Sequence, residues 1–171
     1  LMGAGFVSVT FVALTKGLVD QFREAISEDY RPPADYEVSF PTKDILDDFL
    51  RRHGATDLGA QDLERAITNI RLPLEDQNIS QRAKQLLGAY WHDQLRGSKT
   101  AYLTFPMMNR LVERLIREND QVRNALRTTY PFVFLDEFQD TTTAQFEVVI
   151  AAFQGSASIL TAVGDDKQRI M

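Results

Sequence analysis

Phe132-Val133-Phe134-Leu135-Asp136-Glu137-Phe138-Gln139-Asp140-Thr141-Thr142-Thr143-Ala144-Gln145 decides the fold. Its first four residues form a continuous apolar run, which predicts a strand covered on both faces; a buried parallel sheet is the natural host for such a strand. Thr142 stands three positions before Gln145, the spacing of a capping box, and Phe146, Val149, Ile150 and Phe153 then share one helix face. Gly155 predicts the end of that helix. Residues 158–163 predict a second strand, so residues 132–163 form a βαβ unit of about the minimal 30-residue size.

The two strands of such a unit run parallel, and the segments after Leu135 and Val163 leave the sheet at the same carboxyl edge, where open α/β sheets bind ligands. This edge carries Asp136, Glu137, Gln139 and Asp140 from one strand end and Asp165, Asp166 and Gln168 from the other. Acidic groups crowded there repel one another unless a cation sits between them. Magnesium suits the place, because it is usually held by one or two carboxylates together with phosphate oxygens and water. Phosphoryl transfer then needs a further carboxylate to orient or deprotonate water, and a neutral amide donor to sense the terminal phosphate. Read singly, each acid is more commonly solvated loop or helix-cap material; two such strings at matched strand ends make the site reading the stronger one.

Upstream the pattern is largely helical. Residues 6–13 are apolar and β-branched enough to predict a strand, and Leu14, Leu18, Phe22, Ala25 and Ile26 recur at helical spacing after it. Residues 29–41 hold three prolines and two tyrosines, which predicts a loop with a short extended piece over 37–40. Thr42 is a candidate N-cap for a helix burying Ile45, Leu46, Phe49 and Leu50 and ending at Gly54. Further helices are predicted around Leu63, Ala66, Ile67 and Ile70; around Ala83, Leu86, Leu87, Tyr90 and Leu95; around Leu111, Val112, Leu115 and Ile116; and over 122–127.

Composition excludes several classes of function. The chain has 171 residues with no cysteine and only two histidines, so it has neither a disulfide framework nor a zinc-ligand set; a reducing cytoplasm fits. Its longest apolar runs fall well short of the roughly 20 residues needed to cross a bilayer, and no signal peptide is present. A net charge of −5 argues against gripping nucleic acid through bulk electrostatics. Trp91 and Tyr90 could stack on bases, but helical spacing favours core packing. Arg51, Arg52, Arg65, Arg71, Arg82 and Lys84 could reach duplex phosphates, yet they alternate with acids as solvated helix faces do. His53 and His92 are isolated and carry no expected chemistry. The start at Leu1, with Met2 behind it, and the end at Met171 suggest a piece of a longer protein.

Leu135-Asp136-Glu137-Phe138-Gln139-Asp140-Thr141 and Val163-Gly164-Asp165-Asp166-Lys167-Gln168-Arg169-Ile170 resemble motifs II and III of the UvrD/Rep/PcrA-type superfamily 1 DNA helicases. Tyr102-Leu103-Thr104-Phe105, the helix after it and Tyr130-Pro131-Phe132 resemble that family's run into motif II. The resemblance implies ATP as substrate, Mg2+ as cofactor and DNA, at single-strand/duplex junctions, as partner. It assigns the metal to Asp136, water activation to Glu137 and contact with the γ-phosphate to Gln168. Gln139, Asp140, Gly164 and Asp165 match positions that support the same nucleotide site. Val9-Thr10-Phe11 is similar to motif Ib, which lies beside single-stranded DNA; Val12 replaces the family's usual histidine, and a plain buried strand explains these residues equally well. Thr10 and Phe11 are therefore weak DNA-binding candidates.

The implied fold is α/β, part of a parallel P-loop NTPase (RecA-like) sheet with a mainly helical inserted subdomain. Residues 1–28 would belong to the first motor domain, 29–100 to the insert and 101–171 to the rest of the motor. Arg169 and Met171 depart from the serine and aromatic residue common in relatives. No Gly-x-x-x-x-Gly-Lys-Ser/Thr phosphate loop occurs in the chain. Gly97-Ser98-Lys99-Thr100 is no substitute, since serine separates glycine from lysine and no strand precedes it. The expected function is that of part of a 3′-to-5′ DNA helicase or translocase, such as serves DNA repair. The alternatives are the motor of a helicase-nuclease, and a non-catalytic protein- or DNA-binding module that keeps the acidic edge as a relic.

Overall fold

A computed structural model describes residues 7–97 and 99–165. Helix α1 (Phe11–Gln21) leads through an irregular segment to strand β1 (Glu37–Ser39), followed by helices α2 (Lys43–Arg52), α3 (Ala60–Asn69) and α4 (Gln81–Arg96). Strand β2 (Tyr102–Thr104) runs directly into α5 (Phe105–Glu118), and α6 (Asp120–Thr129) follows. The final described elements are β3 (Phe132–Leu135), α7 (Thr143–Phe153) and β4 (Ile159–Ala162). The result is a mixed α/β fold with two separate pairs of short parallel strands, β1 with β2 and β3 with β4.

The predicted helices form where the apolar spacing placed them, and the βαβ unit is β3-α7-β4, paired parallel from Phe132 opposite Ile159 to Leu135 opposite Ala162. Three expectations require correction. Residues 7–10 are not a strand, and Phe11 opens a helix: Thr10 is extended and its hydroxyl accepts the Ala13 N–H at 3.1 Å. That N-cap extends the helical spacing of Leu14 and Leu18 backwards, while Val7 and Val9 remain exposed; Phe6 lies outside the described residues. Ile45 is 55% exposed, because Leu46, Phe49 and Leu50 alone turn the apolar face of α2 inward. Thr42 has the extended backbone of a cap but makes no side-chain capping bond.

The third correction concerns β3. Phe132 and Phe134 are 74% and 59% exposed, whereas Val133 and Leu135 are half-buried. An apolar run records the need for cover on both faces, and among the described residues only one face of β3 has it.

Helix α5 is the centre of the molecule. Thr104 caps it, Pro106 occupies its first turn, and Met107, Met108, Leu111, Val112, Leu115 and Ile116 are buried. It packs against α1, α3, α6 and α7, so a single apolar core runs from Leu18 on α1 to Ala152 on α7. Each fully buried large apolar side chain contributes about 1.5–3 kcal/mol.

Arg110 and Glu113 on α5 are also buried, and they are not isolated. The Arg110 guanidinium donates to the Thr68 carbonyl at the end of α3, with Nε at 2.7 Å, and to the Glu147 carboxylate on α7. Arg71 pairs with Glu147 at 2.8 Å. Arg117 donates to Glu113 at 3.1 Å and also reaches the Leu72 carbonyl. Desolvation pushes the Glu147 carboxyl upward, but hydrogen bonds from Arg110 and Arg71 outweigh it and hold the pKa below the usual carboxylate value. This cluster fastens the exit of α3 to both α5 and α7. No described helix is long and apolar enough to cross a membrane.

Candidate active site

The site lies beyond the carboxyl ends of β3 and β4. Pairing continues past both strands: Val163 N–H donates to Leu135 O at 2.8 Å, and Phe138 N–H donates to Val163 O at 2.9 Å. Between these bonds the chain turns sharply through Asp136 and Glu137. Glu137 has φ 49° and ψ 44°, and is the one non-glycine residue with positive φ among the described residues. Left-handed backbone at such a residue costs about 1–3 kcal/mol and persists where the surroundings impose it. Here Asp136 Oδ1 accepts the Glu137 N–H at 3.0 Å. A 3-10 turn over Phe138–Asp140 begins immediately afterwards, closed by Asp140 N–H to Glu137 O at 2.9 Å.

Gln139 joins the two strand ends. Its Nε2 donates to Glu137 Oε2, and its Oε1 accepts the Asp165 N–H at 3.1 Å. Only one orientation of the amide satisfies both partners, since a carboxylate only accepts and a backbone N–H only donates. Gly164 makes room for this arrangement. A β-carbon there would lie 2.5 Å from Gln139 Oε1 and 3.1 Å from Gln139 N, so a side chain at 164 could enter only by displacing the Gln139 amide.

Helix α7 supports the turn from below. Thr142 Oγ1 accepts the Gln145 N–H at 3.3 Å and Gln145 Oε1 accepts the Thr142 N–H at 2.9 Å, completing the predicted capping box. Phe138 packs edge-on against Phe146 with ring centroids 6.0 Å apart. Thr142→Ala should cost about 1 kcal/mol and lower the melting temperature by about 2–4 °C; calorimetry of the two chains checks this.

The edge thus assembles Asp136, Glu137, Gln139, Gly164 and Asp165, with exposed Asp140 in the same turn. Asp166 and Gln168 lie outside the described residues. No three His, Cys, Asp or Glu side chains among the described residues are grouped closely enough to form a protein-built metal cage. The donor chemistry instead fits a magnesium ion held by one carboxylate, with phosphate oxygens and water completing an octahedral shell. Asp136, exposed at the end of β3, is placed to supply that carboxylate.

Other candidates sort differently. The Thr10 hydroxyl is used as a helix cap and Phe11 packs partly against the main core. Tyr90 and Trp91 are 1% and 4% exposed, in edge-to-face contact with Phe49 and Tyr30 respectively; they are core residues. The surface cations have acidic or carbonyl partners within the chain. Arg51 and Arg52 pair with Asp48, Arg65 with Asp62, Arg82 with Asp57, and Lys84 donates to the Glu75 carbonyl. Sequence reasoning missed the left-handed Glu137 and the reach of Gln139 to Asp165. Gly164 was the available signal for the second.

The chain is similar to known helicase proteins. The family described as UvrD/REP helicase N-terminal domain matches residues 16–171. The RecBCD enzyme subunit RecB of Mycolicibacterium smegmatis is 39% identical over 64 residues, 37% of this chain and 6% of that protein. A DNA helicase II homolog of Mycoplasma capricolum is 38% identical over 72 residues, 42% of this chain and 10% of that protein. The ATP-dependent DNA helicase Rep of Escherichia coli is 39% identical over 56 residues, 33% of this chain and 8% of that protein. The matched stretches therefore span a tenth or less of these relatives' own length. With the family match covering nearly all of its length, the chain belongs to the UvrD/REP helicase N-terminal domain family.

Proposed function

We propose that this chain supplies the acidic, carboxyl-edge half of the ATP-hydrolysing site of a DNA helicase or translocase of 3′-to-5′ polarity, acting in the cytoplasm on DNA with a single-stranded region. The observation that carries this reading is the joined strand ends: Glu137, whose N–H is accepted by Asp136, is held to the Asp165 backbone after β4 through Gln139. Bound magnesium would neutralise charge on the phosphate oxygens. Asp136 would hold that ion. Glu137, fixed by the turn and by Gln139, would orient and deprotonate the attacking water. Gln168 would sense the terminal phosphate, with Asp140, Gly164 and Asp165 shaping the pocket. In this reading residues 1–28 and 101–171 are motor and 29–100 an inserted helical subdomain, set in a P-loop NTPase sheet. Thr10 and Phe11 remain candidates for single-strand contact from the start of α1.

The phosphate loop that cradles nucleotide phosphates is not among the 171 residues. The isolated chain should therefore show negligible ATP hydrolysis with magnesium and single-stranded DNA, whereas the full-length protein should hydrolyse ATP and respond to DNA. A colorimetric phosphate assay on both checks this; magnesium-dependent turnover by the isolated chain would contradict it. The similarity to the RecBCD subunit favours one second reading, the motor part of a helicase-nuclease. A nuclease domain beyond the motor in the full-length sequence would decide for it.

A further inference from the structure

We infer that Gln139 is a positioning residue that ties the Glu137 carboxylate to the backbone following β4, so that alignment of the water-activating group follows the position of that segment. The inference rests on the reading of Glu137 as the group that activates water, and it adds a control on that group.

Among the described residues Glu137 has little else to anchor its side chain. It is exposed, its backbone is left-handed, and among the described residues its other neighbours within the turn hold only its main chain. The side-chain bond from Gln139 Nε2 supplies the missing restraint on the carboxylate. The same amide accepts from Asp165 N–H through its other end. A displacement of residues 164–165 relative to β3 therefore pulls on the amide and, through it, on the carboxylate. The two amide bonds are coupled geometrically, because rotating the Gln139 side chain to follow one partner moves the donor or acceptor serving the other.

Gly164 sets the tolerance of this device. An added β-carbon would meet Gln139 Oε1 at 2.5 Å. The side-chain oxygen is the mobile partner in that clash and would swing away first, while the Gln139 and Phe138 backbone nitrogens, at 3.1 and 3.3 Å, need give by only a few tenths of an ångström. Removing the amide and crowding it from Gly164 are thus two routes to the same defect, a Glu137 carboxylate free to swing. Misplacing a reacting group by about 1 Å can cost on the order of 100-fold in rate, while ATP affinity, which depends on the phosphate cradle and magnesium, is little changed.

The test uses the full-length protein with saturating single-stranded DNA, comparing wild type, Glu137→Gln, Gln139→Met, Gly164→Ala and the Gln139→Met/Gly164→Ala double variant. Methionine keeps the length of glutamine without its hydrogen-bonding amide. Each single change at 139 or 164 should lower kcat by about 10- to 100-fold with KM for ATP within about two-fold. The double variant should be no slower than the slower single one, because the second change acts on a bond already lost. A general loss of structure would instead raise KM or abolish binding of a fluorescent ATP analogue, and that pattern in Gln139→Met would overturn the inference. So would wild-type kcat in Gln139→Met, or multiplicative losses in the double variant, with Glu137→Gln inactive. Wild-type turnover in Glu137→Gln would remove the underlying reading itself.

Discussion

Glu137→Gln in the full-length protein should bind ATP normally and hydrolyse it about 100- to 10,000-fold more slowly, the range by which a positioned general base accelerates a reaction. The substitution preserves the size of the side chain and leaves the Asp136 carboxylate in place. It removes only the capacity to take a proton from water. It also changes the partner of Gln139: an amide at 137 can still accept the Nε2 hydrogen through its own carbonyl oxygen, so the turn should survive. The contrast between intact binding and lost turnover separates this role from metal binding, since Asp136→Ala should weaken magnesium-dependent binding as well. Equilibrium titration with a fluorescent ATP analogue, alongside steady-state hydrolysis, measures both. Unchanged turnover in Glu137→Gln would take this residue out of the chemistry.

The largest effect on stability is expected at Arg110. Its guanidinium is fully buried and bridges the Thr68 carbonyl and the Glu147 carboxylate. Arg110→Leu removes the charge while filling much of the space, and it leaves a carbonyl and part of a carboxylate unsatisfied. Breaking a buried ion pair from one side costs about 3–5 kcal/mol. Glu147 keeps Arg71 as a partner at 2.8 Å, so the lower end, about 3 kcal/mol, is expected. Urea denaturation of the 171-residue chain measures it, and a loss under about 1 kcal/mol would show that the cluster contributes little beyond its packing. The effect should depend on pH with a definite sign. Because the Glu147 pKa is depressed in the folded chain, its contribution is complete above the ordinary glutamate value of the unfolded state. It is lost as pH falls through the lower folded-state value. The gap between wild type and Arg110→Leu should therefore narrow in acid.

Those two sites differ in how far they could be read from sequence. The elements around Glu137 announce themselves locally: four apolar residues make β3, Thr142 and Gln145 cap α7 three positions apart, and Gly155 with φ 69° ends the turn after it. A parallel pairing of β3 and β4 follows from the helix between them. Arg110 and Glu113 sit on α5 where charged residues usually mark a solvated face. Their burial depends on Thr68, Leu72 and Glu147, and contacts across such sequence distances leave no periodic trace. The pairing of Glu37–Ser39 with Tyr102–Thr104 is hidden in the same way, although the extended piece near residue 37 was itself legible. Residues 7–11 misled because an apolar, β-branched stretch resembles a strand unless the capping role of Thr10 is weighed first. At the candidate edge, residue types and spacing put Asp136, Glu137, Gln139, Gly164 and Asp165 at one end of the paired strands, but did not reveal the left-handed backbone of Glu137 or the amide that joins it to Asp165.

The most direct measurement is the structure of the full-length protein with magnesium and a non-hydrolysable ATP analogue. The terminal phosphate should lie beyond the carboxyl ends of β3 and β4. Magnesium should be coordinated by Asp136 at about 2.1 Å or through one water, and a water should stand within about 3 Å of Glu137. Nucleotide and metal bound away from that edge, with Asp136 and Glu137 facing only solvent, would contradict the assignment.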